Sequence, residues 1–262
     1  MSGRMHDVVA RAGVPAVVLG SAVVALQVAY PLAPAGAVRD GLTVVTVLVF
    51  FAASVAHAAL RRGGTFAAWL VLVGGGVGLA VEVLGVATDL PFGPYEYTGS
   101  LGPRFAGVPL VIPLAWTMMA YPAFVAARWL VRAGWARVAV GAWALAAWDL
   151  YLDPQMVDAG HWAWHSDAAA VMGIPWTNFA GWALVAVVVL GLLELGAARL
   201  GADRPADRVA DAVPLALYLW VYASSLLAHL AFLGLRSSAV LGGIGMGMVA
   251  VPLAARLRRG PA

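Results

Sequence analysis

Four ionisable side chains stand inside long apolar stretches of this chain: Glu82, Asp149, Asp153 and His229. A titratable group within a membrane-spanning helix is expensive unless it is paired or neutral, so each is a candidate for chemistry. Asp149 and Asp153 are four residues apart, which places both carboxyls on one helical face. Glu82 and Asp89, seven apart, share a face if the helix continues that far. All four candidates lie toward the same ends of their helices, the common depth that a shared polar pocket requires. Plainer readings stand beside this one. Asp153 precedes Pro154 and could simply end its helix at an interface. A single histidine on an apolar helix is often just hydrogen-bonded. Glu82 has no partner nearby in sequence, and a lone buried carboxyl is either protonated or paired.

The elements that must position these residues are transmembrane helices. Of 262 residues, 63% are hydrophobic and 11% charged, and the mean hydropathy is +0.88. A soluble domain carries roughly 25% charged residues, so this chain cannot coat a globule with water-facing charge. The class expected is all-α: a polytopic bundle of about eight spans, residues 1–262 forming one integral membrane domain. A span needs about 20 mostly apolar residues, and such runs fall near 14–31, 41–60, 66–88, 108–128, 137–153, 178–198, 213–233 and 238–256. Gly74, Gly75, Gly76 and Gly78 in the third run, and Gly242, Gly243, Gly245 and Gly247 in the last, predict close helix packing. Arg4 and Arg11 precede the first run, and Ala33, Ala35 and Ala37 imitate a signal-peptide cleavage site. The seven further runs favour an uncleaved first span.

All 16 basic residues are arginine. With the N-terminus inside, 13 of the 16 gather on one side, and only Arg39, Arg104 and Arg236 fall on the other. Positive charge marks the cytoplasmic side, so both termini are expected there, in a cell-membrane protein. The pI of about 9.6 then reflects topology, and no nucleic-acid partner is expected. Two long connections, near 89–107 and 154–177, hold Tyr95, Tyr97, Trp162, Trp164 and Trp176, either as an aromatic belt or as a lid over a site. His161 and His165, with Asp158 and Asp167 nearby, are half of a possible metal site, but five histidines are too few for a histidine-rich di-iron centre. The chain lacks cysteine, a nucleophile elbow, a Walker loop and a dinucleotide fingerprint, so no metal or other cofactor is expected.

Leu-Pro-Phe-Gly-Pro-Tyr-Glu-Tyr-Thr (90–98) is followed by Leu-Gly-Pro-Arg (101–104), Gly-Val-Pro-Leu-Val-Ile-Pro-Leu-Ala-Trp (107–116) and Met-Met-Ala-Tyr-Pro (118–122). Later come Asp-Leu-Tyr-Leu-Asp-Pro-Gln-Met (149–156), Trp-Ala-Trp (162–164) and Gly-Ile-Pro-Trp-Thr-Asn-Phe-Ala-Gly-Trp (173–182). Together these resemble the membrane-embedded carotenoid biosynthesis family that includes bisanhydrobacterioruberin hydratase and the gamma-carotene 1'-hydratases. The resemblance covers about 80–185, and Glu82 falls where the family carries an acid. It implies addition of water to the terminal double bond of an acyclic carotenoid end, within membrane lipid and beside other carotenoid enzymes.

Such a bond has no electron-withdrawing group, so it must be protonated before water attacks. That demands a carboxylic acid neutral at ordinary pH, which desolvation or a second carboxyl provides. Aromatic faces steady the resulting cation. In this reading Asp149 or Glu82 donates the proton, and the other, or Asp153, orients water and accepts its proton. Tyr95, Tyr97 and Trp148 border the cation, Asn178 holds the water, and His229 joins the substrate site. Competing readings are a small transporter with a proton relay, a carotenoid-binding scaffold, and an isomerase or cyclase sharing the protonation step.

Overall fold

A computed structural model describes residues 13–165 and 170–259. Arg4, Arg11 and Asp167 lie outside the described residues. The architecture is all-α, with seven helices long and apolar enough to cross a membrane. In chain order the long elements are α1 (Val14–Ala29), extended by a 3-10 turn to Leu32, and α2 (Ala37–Arg62). Next come α3 (Gly64–Val71) and α4 (Gly78–Thr88), joined through a π-helical turn at Leu72–Val77 into one span. Then follow α5 (Val111–Leu130), α6 (Gly134–Ala146), α7 (Asp149–Asp158), α8 (Trp176–Arg199), α9 (Ala212–Ala231) and α10 (Arg236–Arg259).

The fifth predicted span, 137–153, is two pieces instead of one. α6 closes at Ala146 and α7 opens at Asp149, so a carboxyl stands in a helical first turn, where the backbone dipole favours an acid. Nor does Pro154 end the chain's helix. α7 runs past it to Asp158. Proline supplies no N–H to the carbonyl four residues earlier, and that carbonyl, Leu150 O, accepts a hydrogen bond from Ser238 Oγ at 2.6 Å. The same device serves α5. Pro122 leaves Met118 O free, and Ser54 Oγ donates to it at 2.8 Å. Serine hydroxyls thus re-satisfy carbonyls that lipid could not.

α5 is the axial helix, enclosed along nearly its whole length, whereas α1 shows most of its surface to the surroundings. The glycines of the third span explain how α5 is approached so closely. A Cβ at Gly74 would lie 2.8 Å from Thr117 Cα, and one at Gly78 would lie 2.9 Å from the Trp116 ring. In α10, a Cβ at Gly242 would meet the Tyr151 ring at 2.7 Å. Both glycine runs are packing surfaces, as expected.

Alternation of the helices sends the connections at 33–36, 89–110, 159–165 with 170–175, and 232–235 to one end of the bundle, here the loop end. Arg39, Arg104 and Arg236 lie there, and the other described arginines belong to the opposite, arginine-rich end. The two long connections are tied together. β1 (Tyr95–Tyr97) pairs antiparallel with β2 (Trp162–Trp164), with Tyr95 opposite Trp164 and Tyr97 opposite Trp162. This ribbon closes the loop end over the polar cluster.

Candidate functional site

Glu82 sits on α4 and is 4% exposed. Three neutral donors converge on its carboxyl. Tyr95 Oη and Tyr97 Oη donate to Oε2 at 2.6 and 2.7 Å, and Trp116 Nε1 donates to Oε1 at 3.1 Å. Strand alternation does not explain two adjacent-but-one tyrosines reaching one atom unless the ribbon lies directly above the helix, and this one does. Gly85, one turn along α4, permits it, because a Cβ there would stand 2.8 Å from Tyr95 Oη.

Asp149 and Asp153 are 0% and 2% exposed, on one face of α7. Asn178, in the first turn of α8, bridges them: its Nδ2 donates to Asp149 Oδ2 at 2.9 Å and also to Asp153 Oδ2. Asp149 Oδ1 is enclosed without a donor. Among the described residues no arginine contacts Glu82, Asp149 or Asp153.

Glu82, Asp153 and Asn178 line one cavity of about 150 Å³, whose described walls contain no cationic side chain. Its apolar lining is largely aromatic. Trp116 and Trp182 stack with centroids 3.9 Å apart, Trp148 stands edge-on to Trp182 at 6.0 Å, and Tyr95 stacks on Trp164 at 5.7 Å. The arrangement can hold a neutral hydrocarbon against acids and aromatic faces, and can move a proton between carboxyls.

The structure therefore gathers Glu82, Asp149, Asp153, Tyr95, Tyr97, Trp148 and Asn178 at one end of the bundle. Asn178 is bound to the two aspartates rather than presented as a free amide. His229 does not line the cavity. Its ring stands behind Tyr151, centroids 5.1 Å apart, with Nδ1 2.8 Å from Ser238 Oγ and Nε2 3.1 Å from Gln155 Oε1. Sequence reasoning missed Trp116, Trp182 and Gln155. Each closes or nearly closes a quoted motif, and that was the available signal. His161 and His165 turn to different partners, Ser100 Oγ at 2.7 Å and Glu96 Oε1 at 3.1 Å.

Residues 43–249, most of the chain, match the family described as carotenoid biosynthesis protein. The chain belongs to that family and is a multi-pass membrane protein. A bisanhydrobacterioruberin hydratase of Haloarcula japonica is 29% identical over 149 residues, 55% of this chain and 49% of that relative. The chain thus spans about half the length of the relative it matches. No solved structure matches.

Proposed function

We propose that this protein is a carotenoid hydratase, adding water to the terminal carbon–carbon double bond of an acyclic carotenoid end such as that of bisanhydrobacterioruberin, gamma-carotene or lycopene. The observation that carries the reading is a cavity where the buried carboxyls of Glu82 and Asp153, the latter joined to Asp149 through Asn178, meet aromatic faces with no cationic side chain in the described walls. A cation would hold each acid permanently ionised. Without one, two carboxyls sharing the Asn178 amide keep a proton between them, because two adjacent anions in a water-poor site repel strongly.

The Asp149–Asp153 pair is the proton donor in this mechanism. The proton goes to the alkene carbon that bears hydrogen, leaving a tertiary cation on its neighbour. Trp116, Trp148 and Trp182 present π faces and edges around it, each favourable face contributing about 0.5–2 kcal/mol. Water adds to the cation, and the oxonium passes its extra proton to Glu82, whose carboxyl is oriented by Tyr95, Tyr97 and Trp116. Exchange with solvent returns the proton to the aspartate pair. No redox equivalent enters or leaves. The cavity takes the end of the polyene while the rest stays in lipid. The whole chain acts as one membrane domain in the cell membrane, its arginine-rich end toward the cytoplasm, beside enzymes that supply and use the carotenoid.

Expression in cells that accumulate each candidate carotenoid tests this, with pigments analysed by mass. Wild-type protein yields a tertiary alcohol heavier by one water. Asp149→Asn and Glu82→Gln, each verified as folded in the membrane, lower turnover by about 10²–10⁴. Wild-type turnover in both variants would remove the proposed site. A product of unchanged mass would make the enzyme an isomerase or cyclase.

A further inference from the structure

The cavity has a second polar wall that the proposed acid–base chemistry leaves unused. On α7, Tyr151 and Gln155 follow Asp149 and Asp153 by two residues each, a turn of about 200° around the helix axis. They therefore present the flank away from the aspartates, and both still line the cavity. Gln27 of α1 and Thr46 of α2 also line the cavity, from helices that carry none of the three acids. Gln27 Oε1, Thr46 Oγ1 and Tyr151 Oη are enclosed and without a hydrogen-bond partner in the chain. Tyr151 is 1% exposed and Thr46 9%, so neither hydroxyl is a surface group. Leaving such an atom unpaired costs about 1–3 kcal/mol, and three on residues lining one cavity mark the place of a small polar ligand.

Gln155 is held from behind. Its amide meets His229 Nε2, His229 Nδ1 meets Ser238 Oγ, and Ser238 donates to Leu150 O, the carbonyl that Pro154 leaves free. The chain of contacts fixes the amide at the cavity wall instead of letting it rotate.

We infer that Gln27, Thr46, Tyr151 and Gln155 form the subsite for the attacking water, in the same cavity as the proton donor. This rests on the hydratase reading, which makes water the second reactant. The chemistry of the wall suits that role. All four groups are neutral, so none competes with the carboxyls as a base for the alkene's proton. They offer both donors and acceptors, and a buried water needs about 2–4 such partners. His229 and Ser238 are positioning residues for Gln155.

A cation made without water nearby has another exit. It loses a proton from an adjacent carbon and returns an alkene. In deuterium oxide that alkene carries deuterium, so exchange reports protonation and alcohol reports capture. The experiment uses full-length protein in lipid vesicles loaded with the accepted carotenoid, comparing wild type, Thr46→Val, Gln155→Leu, Thr46→Ser and Asp149→Asn. Thr46→Val and Gln155→Leu are expected to lower alcohol formation about tenfold each, the effect of one lost hydrogen bond, while deuterium exchange persists. Thr46→Ser, which keeps the hydroxyl, restores the wild-type ratio, and Asp149→Asn loses both. An unchanged ratio of alcohol to exchange in the two wall variants overturns the water subsite, as does parallel loss of both. Wild-type protein giving neither alcohol nor exchange overturns the hydratase reading itself.

Discussion

The two ends of the bundle bury acids with opposite partners. At the arginine-rich end Arg128 grips Glu194 with two bonds, Nε–Oε1 at 2.9 Å and Nη2–Oε2 at 2.7 Å, and also meets Asp203. Arg61 Nε reaches Asp211 Oδ1 at 3.1 Å, while Trp129 Nε1 and the Asp207 N–H donate to Asp211 Oδ2. At the loop end Glu82, Asp149 and Asp153 are buried to a depth like that of Asp211, yet their partners are two tyrosines, a tryptophan and an asparagine. An arginine guanidinium is permanently charged, so an acid beside it stays an anion and serves as a fastener. Neutral donors impose no such fixed state, and the proton can come and go. Depth alone therefore does not mark a reactive carboxyl; the partner does.

Replacing Arg128 with Met strikes the fastener. Glu194 is then left largely buried with only Arg137, 3.8 Å from Oε2, as counter-charge, and breaking a buried pair costs up to about 3–5 kcal/mol. Unfolding in detergent should report that loss, while turnover per folded molecule stays at the wild-type level. A large fall in turnover at unchanged stability would break the division between the two ends. Tyr97→Phe tests the other side with a smaller effect. It removes one of two hydroxyls on Glu82 Oε2, a bond to a charged or charging group being worth about 1.5–3 kcal/mol. The expected result is a fall of about 10–100-fold in hydration rate with stability nearly unchanged. Lost stability at full turnover would make Tyr97 structural.

Much of this arrangement was legible in the residues. Seven spans and the packing role of both glycine runs follow from hydropathy and residue size, since lipid enforces helices and small residues permit contact. The spacing of Asp149 and Asp153 gave their common face. Less legible was whatever depends on a partner distant in sequence. Pro154 reads locally as a helix end, because the hydroxyl that satisfies Leu150 O comes from Ser238, on another helix. His57 and Glu194, near the ends of their helices, likewise have partners that no local pattern reveals. In the fold His57 is 1% exposed, between Tyr121 Oη at 2.8 Å and Ala210 O at 2.7 Å, and Glu194 is clamped by Arg128. His229 reads as a site residue because it shares the depth of the acids, but helical rotation turns it behind Gln155. Depth follows from counting residues, whereas azimuth follows from packing that no single helix encodes.

The smallest effect expected concerns how each end responds to acid. The loop-end ribbon is pinned by His161, which is 0% exposed, with Nδ1 on Ser100 Oγ at 2.7 Å, Nε2 3.8 Å from Asp40 Oδ1, and its carbonyl accepting from Thr98 N at 2.9 Å. Burial pushes the imidazole below its ordinary 6.5, against the opposing pull of Asp40. The opened ribbon therefore binds a proton more readily than the closed one. Closure is fully favoured above 6.5 and weakens as the pH falls below that value. Asp203 at the other end behaves differently. Partial burial pushes it up, but the hydrogen bond and charge of Arg128, with Arg137 and Arg62, carry it below 3.8. Its contribution is complete above 3.8 and is lost only as pH falls through still lower values. Between about pH 7 and pH 5, hydrogen exchange measured against the intrinsic amide rate should quicken at Tyr97 and Thr98 while amides near Asp203 hold steady, and His161→Gln should flatten the loop-end response. Equal quickening at both ends would mean that acid loosens the bundle as a whole, and that the two ends do not close by separate chemistry.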